Sequence, residues 1–470
     1  MARGKKEEKD AKALKEALFS QKKHAAQRMD DQEMKQCEAF NAEYIAFMNR
    51  CKTEREAASF FTETLEKKGF KPFKPGMKLK AGDKVFLNNR GKAVILATIG
   101  TAPITEGVRL CAAHIDSPRL DLKQHPLYEA EEIGYFKTHY YGGIKKYQWT
   151  AIPLSLHGVI VRSDGEKVEV RIGEEEGDPV FYITDLLPHL ATEQMKRPLA
   201  TGIKGEELNI VVGSMPFKED AGSELVKLHL MQLLNEKYGI VEDDFLSAEL
   251  EIVPAFPAKE VGFDRSMIGA YGHDDRVCSF PAFRASLDVE KPVHTSVVIL
   301  TDKEETGSDG NTGLCSSYLK YFLMDLAECF KANGRHVMSA SKCLSADVNA
   351  GFDPTFPEVL ERNNCAYLNH GVCVTKFTGA RGKSGTSDAS AEFVGEIRQI
   401  LDAGNVIWQT GELGKVDMGG GGTVAAYIAN LDIDTIDVGV PVLSMHAPYE
   451  LVAKTDVWAA YRAFKVFLES

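Results

Sequence analysis

A chain of 470 residues, 44% hydrophobic and 26% charged, can bury a large core and should divide into two or three domains at roughly 150 residues each. A formal net charge of −12 without a long basic patch in the body argues against nucleic acid as the main partner, and no stretch approaches the roughly 18 consecutive apolar residues of a membrane span. The N-terminus has no signal-peptide core, and nine cysteines without a CxxC fit free thiols in a reducing compartment, so a cytoplasmic protein is expected.

The first 28 residues hold nine Lys or Arg against four Asp or Glu, a formal +5 that leaves −17 on the remainder. They read as a solvated basic arm with a helix over Lys12 to His24. From Asp31 to Lys68 the spacing of Phe40, Tyr44, Ile45, Met48, Phe60 and Leu65 is helical and Gly69 ends it, which predicts a helix or helix pair. The apolar run from Val108 to Ala113 reads as a strand that delivers His114, with Asp116 two places on.

Between Asp121 and about Ala258 the pattern changes. Leu156 to Val161 and Lys167 to Ile172 alternate polar and apolar around Ser163-Asp164-Gly165, a hairpin signature. The spacing predicts a β-rich domain, 121–257, inserted into a first domain made of 1–120 and 258–470.

Beyond it, hydrophobic segments repeatedly end on a residue that a metal could use. Tyr271-Gly272-His273 leads into Asp274-Asp275, and Val297 to Leu300 stops at Thr301-Asp302-Lys303 before Glu304 and Glu305. Cys343 to Ala346 leads into Asp347, and Val438 to Met445 leads into His446. In open α/β sheets functional groups gather at the carboxyl ends of the strands, so ligands distant in sequence can converge there. Two His, two or three Asp and a Glu form the nitrogen and oxygen set expected for zinc or a similar divalent ion. Of two adjacent carboxylates, one can bind metal while its neighbour takes a proton from a water that the metal activates. The His114-x-Asp116 spacing makes Asp116 a natural partner for the second ring nitrogen of His114, with a plain turn before Ser117-Pro118 as the alternative.

Two glycine-rich stretches imitate nucleotide sites. Gly379 to Ser384 lacks the first glycine of a phosphate loop, since position 377 is Phe, and Gly419 to Gly422 has no dinucleotide fingerprint because its last glycine would fall at Val424 or Ala425. Gly421 and Gly422 instead let backbone N–H groups approach a substrate at the start of a helix from Thr423 to about Ala429, or close a tight turn. There is no Gly-x-Ser-x-Gly elbow, and nothing supports a serine or cysteine nucleophile.

His114 to Pro118, Tyr271 to Arg276, Asp302 to Ser308, Ser345-Ala346-Asp347 and Ser444-Met445-His446 together resemble the metal motifs of the aspartyl aminopeptidase family of metallopeptidases, in that family's order. The resemblance implies an α/β fold: a three-layer metallopeptidase domain with a mostly parallel central sheet, plus an inserted β-rich dimerisation domain. It implies two divalent ions per subunit, zinc first with cobalt or manganese as alternatives. His114 and Asp347 would bind one, Glu305 and His446 the other, and Asp274 both, with Glu304 as general base and Asp116 beside His114. The segment Leu187-Pro188-His189-Leu190-Ala191 resembles the family segment whose histidine reaches a neighbouring subunit's substrate, which makes His189 a catalytic candidate. An acidic N-terminal residue would be preferred, for which Lys376, Arg381 and Lys383 are candidate readers, although the stretch around them departs from the eukaryotic pattern. The expected partners are peptide substrates and copies of the same chain, in a dimer-based assembly that is dodecameric in the family. A related di-metal amidase or deacylase, or a non-catalytic scaffold of this fold, are the competing readings.

Overall fold

The computed structural model describes residues 11–20, 23–219 and 222–470. The part of the basic arm at 1–10 and 21–22 lies outside the described residues. Within the arm the expected Lys12–His24 helix is shorter, Ala11–Leu18. His24 starts a new turn instead of ending the old one: its Nδ1 accepts from the Ala26 N–H at 3.2 Å, and the Ala25 N–H donates to the Asn369 carbonyl at 2.6 Å. Two helices follow, Asp31–Arg50 and Glu54–Lys67. Asp30 caps the first through the Gln32 and Glu33 N–H groups, and a Thr53–Glu56 capping box opens the second. Gly69, at φ +83, then turns the chain with N–H groups returned to the last helical carbonyls.

A nine-stranded sheet organises the chain, and its centre runs Thr295–Thr301, Val108–His114, Lys342–Ser345, Asp434–Gly439, all parallel. Every residue of Val108–His114 and Thr295–Thr301 is buried, as a parallel sheet covered on both faces requires. Alternation divides the two covers. Cys111, Ala113, Val298, Leu300 and Val438 pack under the helices Asp31–Arg50, His273–Asp288 and Lys454–Glu469, while Leu110, Ala112, Val297, Ile299 and Cys343 pack under Tyr318–Cys329 and Gly334–Ser339. The result is three layers, with the mixed pairings confined to the sheet's flanks.

A second sheet of seven strands lies between Arg119 and Pro254 in sequence and has its own core around Trp149, Leu156, Ile210 and Ile252. The hairpin is present, Pro153–Val161 pairing antiparallel with Lys167–Ile172. A third, five-stranded sheet joins Met267–Ala270 to Glu450–Ala453 and Pro441–Leu443. Among the described residues no helix is long and apolar enough to cross a membrane.

Candidate active site

Register alone brings the first ligands together. Thr301 is the Cα partner of His114, so the strand that ends at His114 and the one that leads to Glu304 stop side by side. The turn Glu304–Thr306 is entered through Lys303 at φ +67 and left through Gly307 at φ +93. A lysine in the left-handed region is a local strain that surrounding contacts must offset. Asp116 supplies them. Its Oδ1 accepts the Glu304 N–H at 3.2 Å and its Oδ2 accepts the Glu305 N–H at 3.3 Å and the Tyr141 hydroxyl at 2.7 Å.

Asp274 lies between two imidazoles. Its Oδ1 is 3.1 Å from His114 Nε2 and its Oδ2 is 3.2 Å from His446 Nε2. His114 Nε2 is also 3.9 Å from Asp347 and 3.8 Å from Glu304, and His446 Nε2 is 3.5 Å from Glu305. All five expected ligands and the expected base therefore converge.

The donor set fits cations. His114 Nδ1 faces the Asp116 carbonyl at 3.0 Å and His446 Nδ1 faces the Gly143 carbonyl at 2.7 Å. A carbonyl oxygen only accepts, so Nδ1 carries a proton in each ring and the Nε2 lone pair is aimed at Asp274. Two acceptors about 3 Å apart need positive charge between them, whether a second ring proton or a metal ion. Burial opposes charge on His446, yet Asp274 and Glu305 outweigh it and push its pKa up to about 10. Burial raises Glu305 and Asp347 well above the carboxylate range, with the neighbouring carboxylates adding to the effect, and lifts Glu304 to about 7 against the pull of His114. Asp274 also feels burial, but its two histidines hold it below the usual range. Ligand atoms of His114, Asp274 and Glu305 lie within 4.8 Å of one another. At that separation two carboxylates repel by about 3–4 kcal/mol for an effective dielectric near 20, so the cluster is short of positive charge. Glu305 Oε1, buried without a partner, marks the same deficit.

The cluster opens into a cavity of about 500 Å³ lined by Glu304, Asp347, Asn349, Leu413, Gly421, Gly422 and Asp437 among others. Gly421 and Gly422 are thus at the cavity wall, ahead of the helix Ala425–Ala429. Lys376, Arg381 and Lys383 are exposed and line no part of it. Both lysines turn to Asp388, at 3.4 and 2.9 Å, and Lys383 also lies over the Phe377 ring. His189 is exposed on a surface loop beside Leu187 and Leu190, themselves 50% and 68% exposed.

Residues 47–468 match the family model described as aminopeptidase I zinc metalloprotease (M18). The chain belongs to the M18 aminopeptidase family. A probable M18 family aminopeptidase 1 of Clostridium acetobutylicum is 46% identical over 461 residues, covering 96% of this chain and 99% of its own. The crystal structure of an M18 aminopeptidase from Thermotoga maritima superimposes with a TM-score of 0.91 at 42% identity, and aminopeptidase I of Clostridium acetobutylicum does so with 0.91 at 44%. Each covers 96% of this chain and 100% of its own.

This M18 chain holds its cluster with residues that the sequence left unmarked. Glu450, buried, accepts the Asp274 N–H at 3.1 Å through Oε2 and the His446 N–H at 2.6 Å through Oε1, tying two ligands together by their backbones. His446 itself is held at φ +65, a conformation that this contact supports. Asp275, fully buried, accepts the His114 N–H at 3.3 Å. Tyr141 and Gly143 come from the end of the seven-stranded unit, which therefore reaches the site despite carrying no ligand motif. Asp275, next to Asp274 in the same motif, and Glu450, four places after His446, had a positional signal; Tyr141 and Gly143 had none.

Proposed function

We propose that this M18 aminopeptidase hydrolyses the first peptide bond of a peptide with two divalent ions, zinc in the first instance, in the cluster around Asp274. The observation that carries the reading is Asp274 set between His114 and His446 with Glu304 at the cavity side. His114 and Asp347 would hold one ion and Glu305 and His446 the other, with Asp274 shared. Such ions acidify a water and polarise a carbonyl. Glu304 takes the proton from the attacking water and returns it to the leaving amine, a role suited to a carboxyl pushed up toward neutrality. Asp116 fixes the His114 ring and the backbone of the Glu304–Glu305 turn. The backbone at Gly421 and Gly422, where no side chain intervenes, supports the peptide. The nine cysteines are all free, which accords with a cytoplasmic setting.

A panel of peptides with free and with acetylated N-termini tests this reading. Free peptides should lose one residue at a time from the N-terminus while acetylated ones resist; faster release from the acetylated set would make the chain a di-metal deacylase.

The seven-stranded unit, with its exposed Leu186, Leu187 and Leu190 around His189, is read here as a dimerisation domain that offers His189 to the partner subunit's site. A solved relative in Saccharomyces cerevisiae, 22% identical, is described as a dodecamer, and we extend a dimer-based assembly to this chain. A His189→Ala subunit keeps its Glu304, and a Glu304→Gln subunit keeps its His189. If they pair at random in equal amounts, half the dimers are mixed and half of their sites are whole, so activity should recover to about a quarter of wild type. Verified mixed dimers as inactive as both parents would remove His189 from the mechanism.

A further inference from the structure

Three consecutive residues at the seam between the two units touch both ends of the cluster. Tyr141 gives its hydroxyl to Asp116 Oδ2 at 2.7 Å, Gly142 passes Glu305 so closely that an added Cβ would lie 3.4 Å from its Oε2, and the Gly143 carbonyl faces His446 Nδ1 at 2.7 Å. Gly142 has φ +75, a conformation that a side chain would strain, so the segment can pass Glu305 only without one.

The segment has most leverage at Asp116. That carboxylate also accepts the Glu304 and Glu305 N–H groups at 3.2 and 3.3 Å, and its Oδ1 is 3.3 Å from His114 Nδ1. These three donors belong to the residues that have to be placed, so they cannot be the reference for placing them. The Tyr141 hydroxyl can, because it is anchored in the other unit's sheet, at the end of the strand Ile133–Tyr141. Its contact is also the shortest of the four, at the length of a charge-assisted O–H···O⁻ bond.

Arg119 holds the Tyr141 ring. It is the Cα partner of Tyr141 on the neighbouring strand and lays its guanidinium 3.9 Å from the ring centroid. The two residues are 5% and 9% exposed. The guanidinium reaches Asp121 at 2.8 Å and Glu251 at 3.3 Å within the seven-stranded unit and, across the seam, Glu54 at 3.4 Å, the first residue of the helix Glu54–Lys67. Lys92, just before the strand Ala93–Thr98, meets the same Glu54 at 3.2 Å. Burial opposes charge on Glu54, yet Arg119 and Lys92 outweigh it and hold its pKa down at about 2. A charged Glu54 pins Arg119, and Arg119 in turn leaves the Tyr141 ring one place to lie.

We propose that Tyr141, set by Arg119, is the positioning residue through which the seven-stranded unit fixes Asp116, and with it the His114 ring and the Glu304–Glu305 turn, for metal binding. Neither residue touches the reacting atoms. The inference rests on the two-metal reading of the site and names what holds that site in shape.

The test follows zinc leaving the loaded protein for a competing chelator, a readout that needs no substrate. Tyr141→Phe keeps the ring on Arg119 and removes only the hydroxyl, and zinc should bind on the order of 10–100-fold more weakly, the usual cost of losing a group that orients a ligand. Tyr461→Phe is the control. Tyr461 is also 9% exposed and gives its hydroxyl to a carboxylate, Asp288, at 2.7 Å, so that variant loses a like bond and should hold zinc as wild type does. Arg119→Lys keeps a charge for Glu54 without the flat face that lies on the ring, and should weaken zinc binding in the same direction. Combined with Tyr141→Phe it should cost nothing further, because Arg119 then has no hydroxyl to act through. If Tyr141→Phe does not fold, Arg119→Lys alone carries the test. Zinc held by Tyr141→Phe as tightly as by Tyr461→Phe, or losses that add in the double variant, overturns the proposal. A wild-type protein that retains no zinc would instead strike the two-metal reading itself, and this inference with it.

Discussion

Glu304→Gln should turn over peptides on the order of 10²–10⁴ more slowly than wild type, the usual worth of a positioned general base, and should keep the two divalent ions proposed for the site. The substitution keeps the shape and removes the ability to carry a proton. Glu304 lines the cavity, so its loss leaves the buried side of the cluster intact. Glu305→Gln behaves differently. Its Oε2 is 3.5 Å from His446 and its Oε1 has no other partner, so a neutral amide there removes a charge that the cation needs. Activity and bound metal should fall together in that variant. Elemental analysis beside turnover separates the two, and reversed metal contents would mean that base and ligand have been exchanged.

Chelation should abolish activity, and added Zn²⁺, Co²⁺ or Mn²⁺ should restore it, because this donor set offers no other means of activating water. A second readout is independent of catalysis. Ions that bind only the folded state stabilise it by about 4 kcal/mol when present at 1,000 times their dissociation constant. Removing them also leaves Asp274, Glu305 and Asp347 facing one another at close range, so the melting temperature should drop with activity and return with it. Full activity in protein shown by elemental analysis to be metal-free would end the two-metal reading.

What the sequence made legible follows from chemistry that lies on short segments. His114, Asp274, Glu304, Glu305, Asp347 and His446 each close a hydrophobic run, and strand order then places those ends together. The helix pair and the hairpin were equally local, fixed by spacing and by Gly69 and Gly165. Tyr141 and Glu450 were not legible as supports of the ligands, because a hydrogen bond from the Tyr141 hydroxyl to Asp116 or from the Asp274 N–H to Glu450 has no sequence period. In the Lys376 to Lys383 stretch, three cations close to a glycine-rich loop suggested an anion reader; in the fold both lysines pair with Asp388 and none of the three lines the cavity. Asp437, on the cavity wall, went unnoticed because it sits inside an apolar strand, Asp434–Gly439, where alternation assigns it to a face without saying that this face ends in a pocket.

The cluster draws on residues from His114 to His446, and its two imidazoles meet the same carboxylate. A chain still being made therefore carries strands, cores and most of the carboxylates long before it carries a hydrolase. Until the segment with His446 and Glu450 arrives, Asp274 has one imidazole instead of two and lacks the backbone clamp that fixes it. Any fragment cut between these positions inherits the same defect, so the two imidazoles meet Asp274 only in a chain that reaches past Glu450.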